Sequence, residues 1–285
     1  MRLATTWTGT GTRLMGVTGE GLLIDIADGA AEADDLAGVT DVGDLLRRGP
    51  AAATRVAAII SGADIEGRTA LADADLAPPV THPQAIVCIG RNYMAHIEEG
   101  GDPVPELPIL FSKYPNTLVG DRDPVIHHAI TSALDYEGEL ALIIGRRASH
   151  VPEAEAMSYV AGYTVLNDIS ARDLQLGDVQ WIRGKSLDTF CPLGPVFVSI
   201  DEIPDVDALR IQTRVNGELR QDAPVSDMIF KIPYLISFIT EGITLEPGDI
   251  VATGTPSGVA YGMNPRVYLK PGDAVEVSIE GIGTL

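Results

Sequence analysis

Cysteine is nearly missing from this 285-residue chain: Cys88 and Cys191 are the only two, both among apolar neighbours. That excludes a disulfide framework and a cysteine-built zinc site. Lysine is scarce as well, at Lys113, Lys185, Lys231 and Lys270 alone, so most of the 20 basic residues are arginine. Set against 40 acidic residues, they leave a formal net charge of −20 and a pI near 4.4. A balance of that sign argues against nucleic acid or an anionic membrane as partner. It fits either life at high salt or a GC-rich genome. No apolar run approaches the ~20 residues of a membrane-spanning helix. The N-terminus has no basic segment leading into an apolar core, so a signal peptide is not expected and a cytoplasmic protein is. What remains is 45% hydrophobic residues in 30.2 kDa, enough for one large or two modest domains with real cores.

Two regions differ in texture. Residues 1–77 are rich in Ala, Asp and Gly; short strands are expected over 3–7, 13–17 and 21–26, and helices over 42–48 and 51–60. This reads as a small α+β domain, closed by the proline-stiffened connector Leu76-Ala77-Pro78-Pro79-Val80. Residues 78–285 are dominated by strands, expected over 85–89, 139–144, 163–167, 196–199, 209–215, 250–253 and 274–279, with helices over 92–99, from 170, and over 232–239. The fold class expected is α+β, mainly β: a mixed β-sandwich or β-roll after a small leading domain.

The most informative stretch is Leu134-Asp135-Tyr136-Glu137-Gly138-Glu139-Leu140-Ala141-Leu142-Ile143-Ile144. Strand side chains alternate between faces, so Glu137 and Glu139 point the same way, and both faces beyond them are apolar. A strand apolar on both sides is covered on both sides. Carboxylates placed there need a cation, because desolvating them unpaired is too costly. The competing reading is a solvated strand end or pairing with arginines. Asp168, at the end of the next strongly β-prone run, joins the two glutamates if the strands are neighbours; alone it is equally a turn residue. Three carboxylates without His or Cys describe a hard-cation site: Mg²⁺ first, Mn²⁺ second, Ca²⁺ less favoured. Just after it, Ser170-Ala171-Arg172-Asp173 has the pattern of a capping box opening a helix.

Further along, His96 and Glu99 share one face of a short helix, while Glu98 points elsewhere. A carboxylate on one imidazole nitrogen fixes the tautomer and raises the basicity of the other, which makes a general base; an incidental surface pair is the alternative. Gly100 and Gly101 suit a mobile lid. Lys185, in a turn-rich segment, suits an anionic substrate or a developing enolate, or is a plain loop lysine. The loop Thr253-Gly254-Thr255-Pro256-Ser257-Gly258 offers amides and hydroxyls to a carboxylate but is no Walker A loop.

In order, G-R-N-Y-x-x-H-x-x-E, D-Y-E-G-E-L-A, N-D-I-S-A-R-D-L-Q, G-K-S-L-D-T-F-C-P-L-G-P and T-G-T-P-S-G resemble the fumarylacetoacetate hydrolase family over residues 80–285. The resemblance implies a mixed β-roll catalytic domain, a homodimer, and one divalent metal on Glu137, Glu139 and Asp168. It also implies a His96/Glu99 dyad, a site lysine at Lys185, and substrate contacts from Gln175 and Thr255. Arg91 and Tyr93, in the first motif, are expected beside the substrate too. The activity expected is Mg²⁺-dependent hydrolysis of the carbon–carbon bond of a 2,4-dioxo acid, an acylpyruvate or diketo-deoxy sugar acid, through an enolate. Isomerisation of a 2-hydroxyhepta-2,4-diene-1,7-dioate or decarboxylation of oxaloacetate by the same enolate chemistry is the alternative. A non-catalytic metal-binding domain is a remote one, since it leaves His96, Glu99 and Lys185 without a purpose.

Overall fold

The computed structural model of the protein describes residues 1–27 and 35–285. One mixed sheet organises them. Its strands are β1 (Arg2–Thr8), β2 (Gly11–Val17), β3 (Leu23–Asp25), β4 (Leu76–Ala77), β5 (Ile86–Gly90), β6 (Ile109–Ser112), β7 (Leu118–Val119), β9 (Gly138–Ile144), β10 (Val160–Asn167), β12 (Cys191–Ser199) and β15 (Ile250–Ala252). They run in the order β3-β2-β1-β12-β10-β9-β15-β5-β6, with β4 against β1 and β7 against β12. The pairs β15–β5 and β12–β7 are parallel, and the rest antiparallel. Short β8 (Leu134–Asp135) and β11 (Ser170–Ala171) pair with each other. A second, antiparallel sheet has the order β14-β13-β16-β17, from Glu218–Pro224, Arg210–Val215, Val275–Ile279 and Gly283–Thr284. The protein is α+β and mainly β. The leading residues join the large sheet through β1, whose Arg2 and Leu3 pair with Val198 and Phe197 of β12.

Both faces of β9 are covered, as its sequence requires. Leu140, Leu142 and Ile144 enter a core with Ile211, Val277 and Ile279 of the second sheet and with α6 (Ile232–Thr240). That helix shows Ile232, Leu235, Ile236 and Ile239 to the core, an i, i+3, i+4, i+7 stripe, and carries Pro233 in its first turn where no amide partner is needed. Ala141 and Ile143 enter the opposite core with Val42 and Leu45 of α1 (Val42–Arg47) and Ala52 and Val56 of α2 (Pro50–Gly62). At about 1.5–3 kcal/mol for each fully buried aliphatic side chain, this double burial anchors β9 firmly. The two glutamates at its start inherit that rigidity.

Two expectations are corrected. The capping box does not form: Ser170 and Ala171 pair as β11 with Asp135 and Leu134, and α4 (Arg172–Gly177) starts without a side-chain cap. The Ser170 hydroxyl instead donates to the Asp168 carbonyl, and Asp173 accepts from Thr131 Oγ1 and the Ser132 amide. Strand pairing has already satisfied the backbone that a box would serve. Secondly, β12 begins at Cys191, not near 196, so it runs straight through Pro192, Gly194 and Pro195. Pro195 falls between the stretch paired with β7 and the stretch paired with β1, and beside the register shift in its pairing with β10, where an amide is dispensable.

Candidate active site

Strand register assembles the acids. Between β9 and β10, Leu166 lies opposite Glu139 and Asn167 opposite Gly138. The next pair is Asp168 against Glu137, joined by a 2.8 Å bond from the Asp168 amide to the Glu137 carbonyl. Residues directly opposite across a pair share a face, so Asp168 falls on the face of Glu137 and Glu139. All three are buried, and one oxygen from each lies within 4.8 Å of the others. Oxygens sharing one octahedral ion at 2.0–2.1 Å stand about 3–4 Å apart, so small side-chain shifts close this set on a hard cation.

The electrostatics favour a cation there. Burial opposes the charge on Glu137, yet Arg172 and Lys185 beside it hold its carboxyl well below the usual range. Its oxygens sit 2.6 Å from Arg172 Nη2 and 2.7 Å from Lys185 Nζ. Among the described residues Glu139 has no such ion-pair partner. It accepts one amide bond, 2.8 Å from Gly254 N, and burial, then Asp168 and Glu137, push its pKa well up. Asp168 is held by Lys113 Nζ at 2.6 Å and Lys185 Nζ at 2.8 Å. A divalent ion would supply the positive charge that Glu139 lacks.

The expected dyad is formed. His96, on α3 (Met94–Gly100), places Nδ1 2.8 Å from Glu99 Oε1, and the other Glu99 oxygen accepts from Gly258 N at 2.8 Å. A small cavity is lined by Arg91, His96, Glu137, Glu139, Gln175, Lys185 and Thr255, so the dyad's imidazole and two of the three acids face one space. Gln175 accepts from Arg172 Nη1 at 3.0 Å; Thr255 Oγ1 donates to the Gly138 carbonyl at 3.0 Å. Lys185 lies between two carboxylates rather than free in the cavity. Tyr93 does not line it: its ring is in the main core, and its hydroxyl has no partner among the described residues. A wider cavity near Arg122, Val125, Leu269 and Leu285 is lined by none of the three acids.

Three residues of this site escaped sequence reasoning. Asp135 is fully buried and accepts from Arg172 Nε at 2.8 Å, Ala260 N at 2.8 Å and Tyr261 N at 3.0 Å. Its signal was present: Asp135, Glu137 and Glu139 alternate. Arg172 bridges Asp135, Glu137 and Gln175. Lys113 also donates to the carbonyls of Ile169 and Lys185, and one of four lysines directly after an apolar strand was its signal. The loop after β15 ties these parts together. Gly254, at φ +101°, aims its amide at Glu139, and a side chain there would meet Asn92 Cβ at 2.8 Å. Gly258, at φ +106°, passes so close to the Arg220 carbonyl that a side chain has no room.

Residues 85–285 match the model of the fumarylacetoacetate hydrolase C-terminal domain. The chain belongs to the fumarylacetoacetate hydrolase family. It is 49% identical over 219 residues to oxaloacetate tautomerase YisK of Bacillus subtilis, an overlap of 75% of this chain and 73% of that one. Among solved structures, fumarylacetoacetate hydrolase from Exiguobacterium antarcticum is 37% identical with a TM-score of 0.84, covering 100% of this chain and 97% of that one. Maleylpyruvate hydrolase from Sphingobium sp. SYK-6, in complex with manganese(II) ion and pyruvate, is 31% identical with a TM-score of 0.80 at the same coverage. The mainly β fold expected from the sequence is therefore the family's own. Among the described residues no helix is long and apolar enough to cross a membrane.

Proposed function

We propose that this chain is a divalent-metal-dependent oxaloacetate tautomerase. The observation that carries the reading is His96, bonded to Glu99, lining the same cavity as Glu137 and Glu139 of the buried carboxylate triad. The 49% identity to a relative named for that activity supports the substrate. Residues 137, 139 and 168 would hold Mg²⁺ or Mn²⁺, and the ion would supply Lewis acidity toward the 2-oxo group.

Tautomerisation moves one proton between the oxygen on carbon 2 and carbon 3. It consumes no water and breaks no carbon–carbon bond. Glu99 fixes His96 Nδ1, which leaves Nε2 to give and take the proton. Gln175 spends its oxygen on Arg172, so its amide hydrogens remain for a substrate oxygen. Lys185 adds a fixed positive charge beside the carboxylates, where negative charge develops on the substrate oxygen. The sequence alone favoured hydrolysis of a 2,4-dioxo acid. That remains the second reading, supported by the likeness to maleylpyruvate hydrolase; it asks the same dyad to activate a water.

The test follows the ultraviolet absorbance of enol-oxaloacetate with Mg²⁺, with Mn²⁺ and with a chelator. Metal-dependent acceleration is expected, falling about 10²–10⁴-fold in His96→Ala. No acceleration over buffer with either metal refutes the tautomerase. Faster pyruvate release from acylpyruvates would install the hydrolase in its place.

A further inference from the structure

Arg91 is the one residue of the cavity wall held in a backbone conformation its type avoids. It follows β5 with φ +56°, in the left-handed region. Strain of this kind persists where the surroundings over-determine it, and it concentrates at ligand sites. Here it turns the side chain at the strand exit toward a wall built for it. Gly90 beneath has no side chain, and a Cβ there would meet Trp181 Cζ3 at 2.6 Å. The indole takes that space, packs edge-on against Phe111 at 5.5 Å, and has the Arg91 guanidinium 5.7 Å from its ring centroid.

Three cations line this cavity: Arg91, Arg172 and Lys185. Two are committed. Arg172 is buried against Asp135, Glu137 and Gln175, and Lys185 is buried between Glu137 and Asp168. Arg91 has one hydrogen-bond partner among the described residues, Asp102 Oδ1 at 2.8 Å. Both members of that pair are partly open to solvent, with side chains 24% and 35% exposed. Asp102 stands just past Gly101, the left-handed residue that ends α3, so it belongs to the segment that carries His96 and Glu99. A weakly committed guanidinium on an aromatic shelf is suited to a carboxylate, which it grips with two parallel hydrogen bonds.

We infer that Arg91 reads the second carboxylate of a 2-oxo dicarboxylate, exchanging Asp102 for the substrate, and so sets selectivity against monocarboxylic 2-oxo acids. This rests on the tautomerase reading for which end of the substrate meets the acid cluster. It also explains how a chain of net charge −20 accepts a dianion: the cation for the far end is held in reserve at the rim.

The experiment compares oxaloacetate with pyruvate, by calorimetric binding in Mn²⁺ and by turnover where it occurs. The wild type is expected to bind oxaloacetate the more tightly. Arg91→Gln should weaken oxaloacetate binding roughly 10–100-fold, leave pyruvate binding within about twofold, and raise KM more than it lowers kcat; Arg91→Lys should recover part of the loss. Equal weakening of both ligands, or of neither, overturns the inference. So does a wild type without preference for the dicarboxylate. Selective binding without turnover would instead refute the tautomerase reading and leave this assignment standing. Should Arg91→Gln fail to fold, Arg91→Lys carries the comparison, because a lysine keeps the charge and loses the fork.

Discussion

Replacing Asp135 by Asn tests whether a buried acid outside the carboxylate triad holds the site together. Asp135 accepts bonds from Arg172, Ala260 and Tyr261, and from its neighbour Tyr136 N at 2.9 Å, with no exposed surface. Asparagine keeps the shape and one oxygen but loses the charge and turns two donors toward donors. Breaking one side of a buried, hydrogen-bonded ion pair costs about 3–5 kcal/mol. Glu137 still meets Arg172 after the change, which places the expected loss at the lower end, near 3 kcal/mol. For a chain of this length about 2–3 °C of Tm accompanies each kcal/mol, so a drop of roughly 6–9 °C is expected in a thermal melt. Activity should fall further than the melt accounts for, because Ala260 and Tyr261 lie just beyond Gly258, whose amide holds Glu99. A denaturant midpoint equivalent to less than about 1 kcal/mol of destabilisation would refute the reasoning, since a buried pair broken on one side cannot be that cheap.

Two further outcomes follow from the same contacts. Glu139→Gln should leave the melt in chelator unchanged or raised, as a like charge is removed beside Asp168 and Glu137, while abolishing the rise in Tm on adding Mg²⁺ or Mn²⁺; an undiminished rise would remove Glu139 from the metal site. Asp173 carries a pKa below the ordinary carboxylate range: some burial opposes its charge, but the Ser132 amide and the Thr131 hydroxyl outweigh that. Its stabilisation is therefore fully present above the unfolded-state pKa and lost as pH falls through the folded one. Asp173→Asn should destabilise at neutral pH and flatten the acid limb of the stability profile below about pH 4; an unchanged limb would show that these hydrogen bonds contribute nothing.

The strand-borne half of the site was legible because strand geometry is periodic. Parity alone placed Glu137 and Glu139 on one face, and Asp168 needed only that β9 and β10 be neighbours, which their pairing shows. The helix-borne dyad was legible for the same reason, its spacing of three residues being a contact distance on any helix. What could not be read came from groups without a residue code. Backbone amides of Gly254, Gly258, Ala260 and Tyr261 fix Glu139, Glu99 and Asp135, and an amide looks alike under every side chain. Arg172 was misread as part of a capping box because the local pattern fitted, while the tertiary partners that claim it lie about thirty-five residues upstream.

One loop holding both halves of the site bears on the choice between tautomerase and hydrolase. Glu139 of the acid cluster and Glu99 of the dyad take their bonds from amides four residues apart, so the two are spaced by covalent geometry rather than by packing alone. That frame is indifferent to the choice: either reading uses the acids, the dyad and Lys185 where they are. The difference lies in whether water reaches the substrate beside His96. Hydrolysis requires a water held for the imidazole, whereas tautomerisation proceeds best with water shut out. Phe111, Leu176, Trp181 and Tyr261 line the same cavity as His96, ring and aliphatic surfaces that can pack on a substrate's carbon skeleton but offer fewer partners to an ordered water than the polar side chains of Gln175 and Thr255 beside them. On the tautomerase reading it is these four side chains, rather than the acids or the dyad that the motifs display, that are expected to keep water from the substrate.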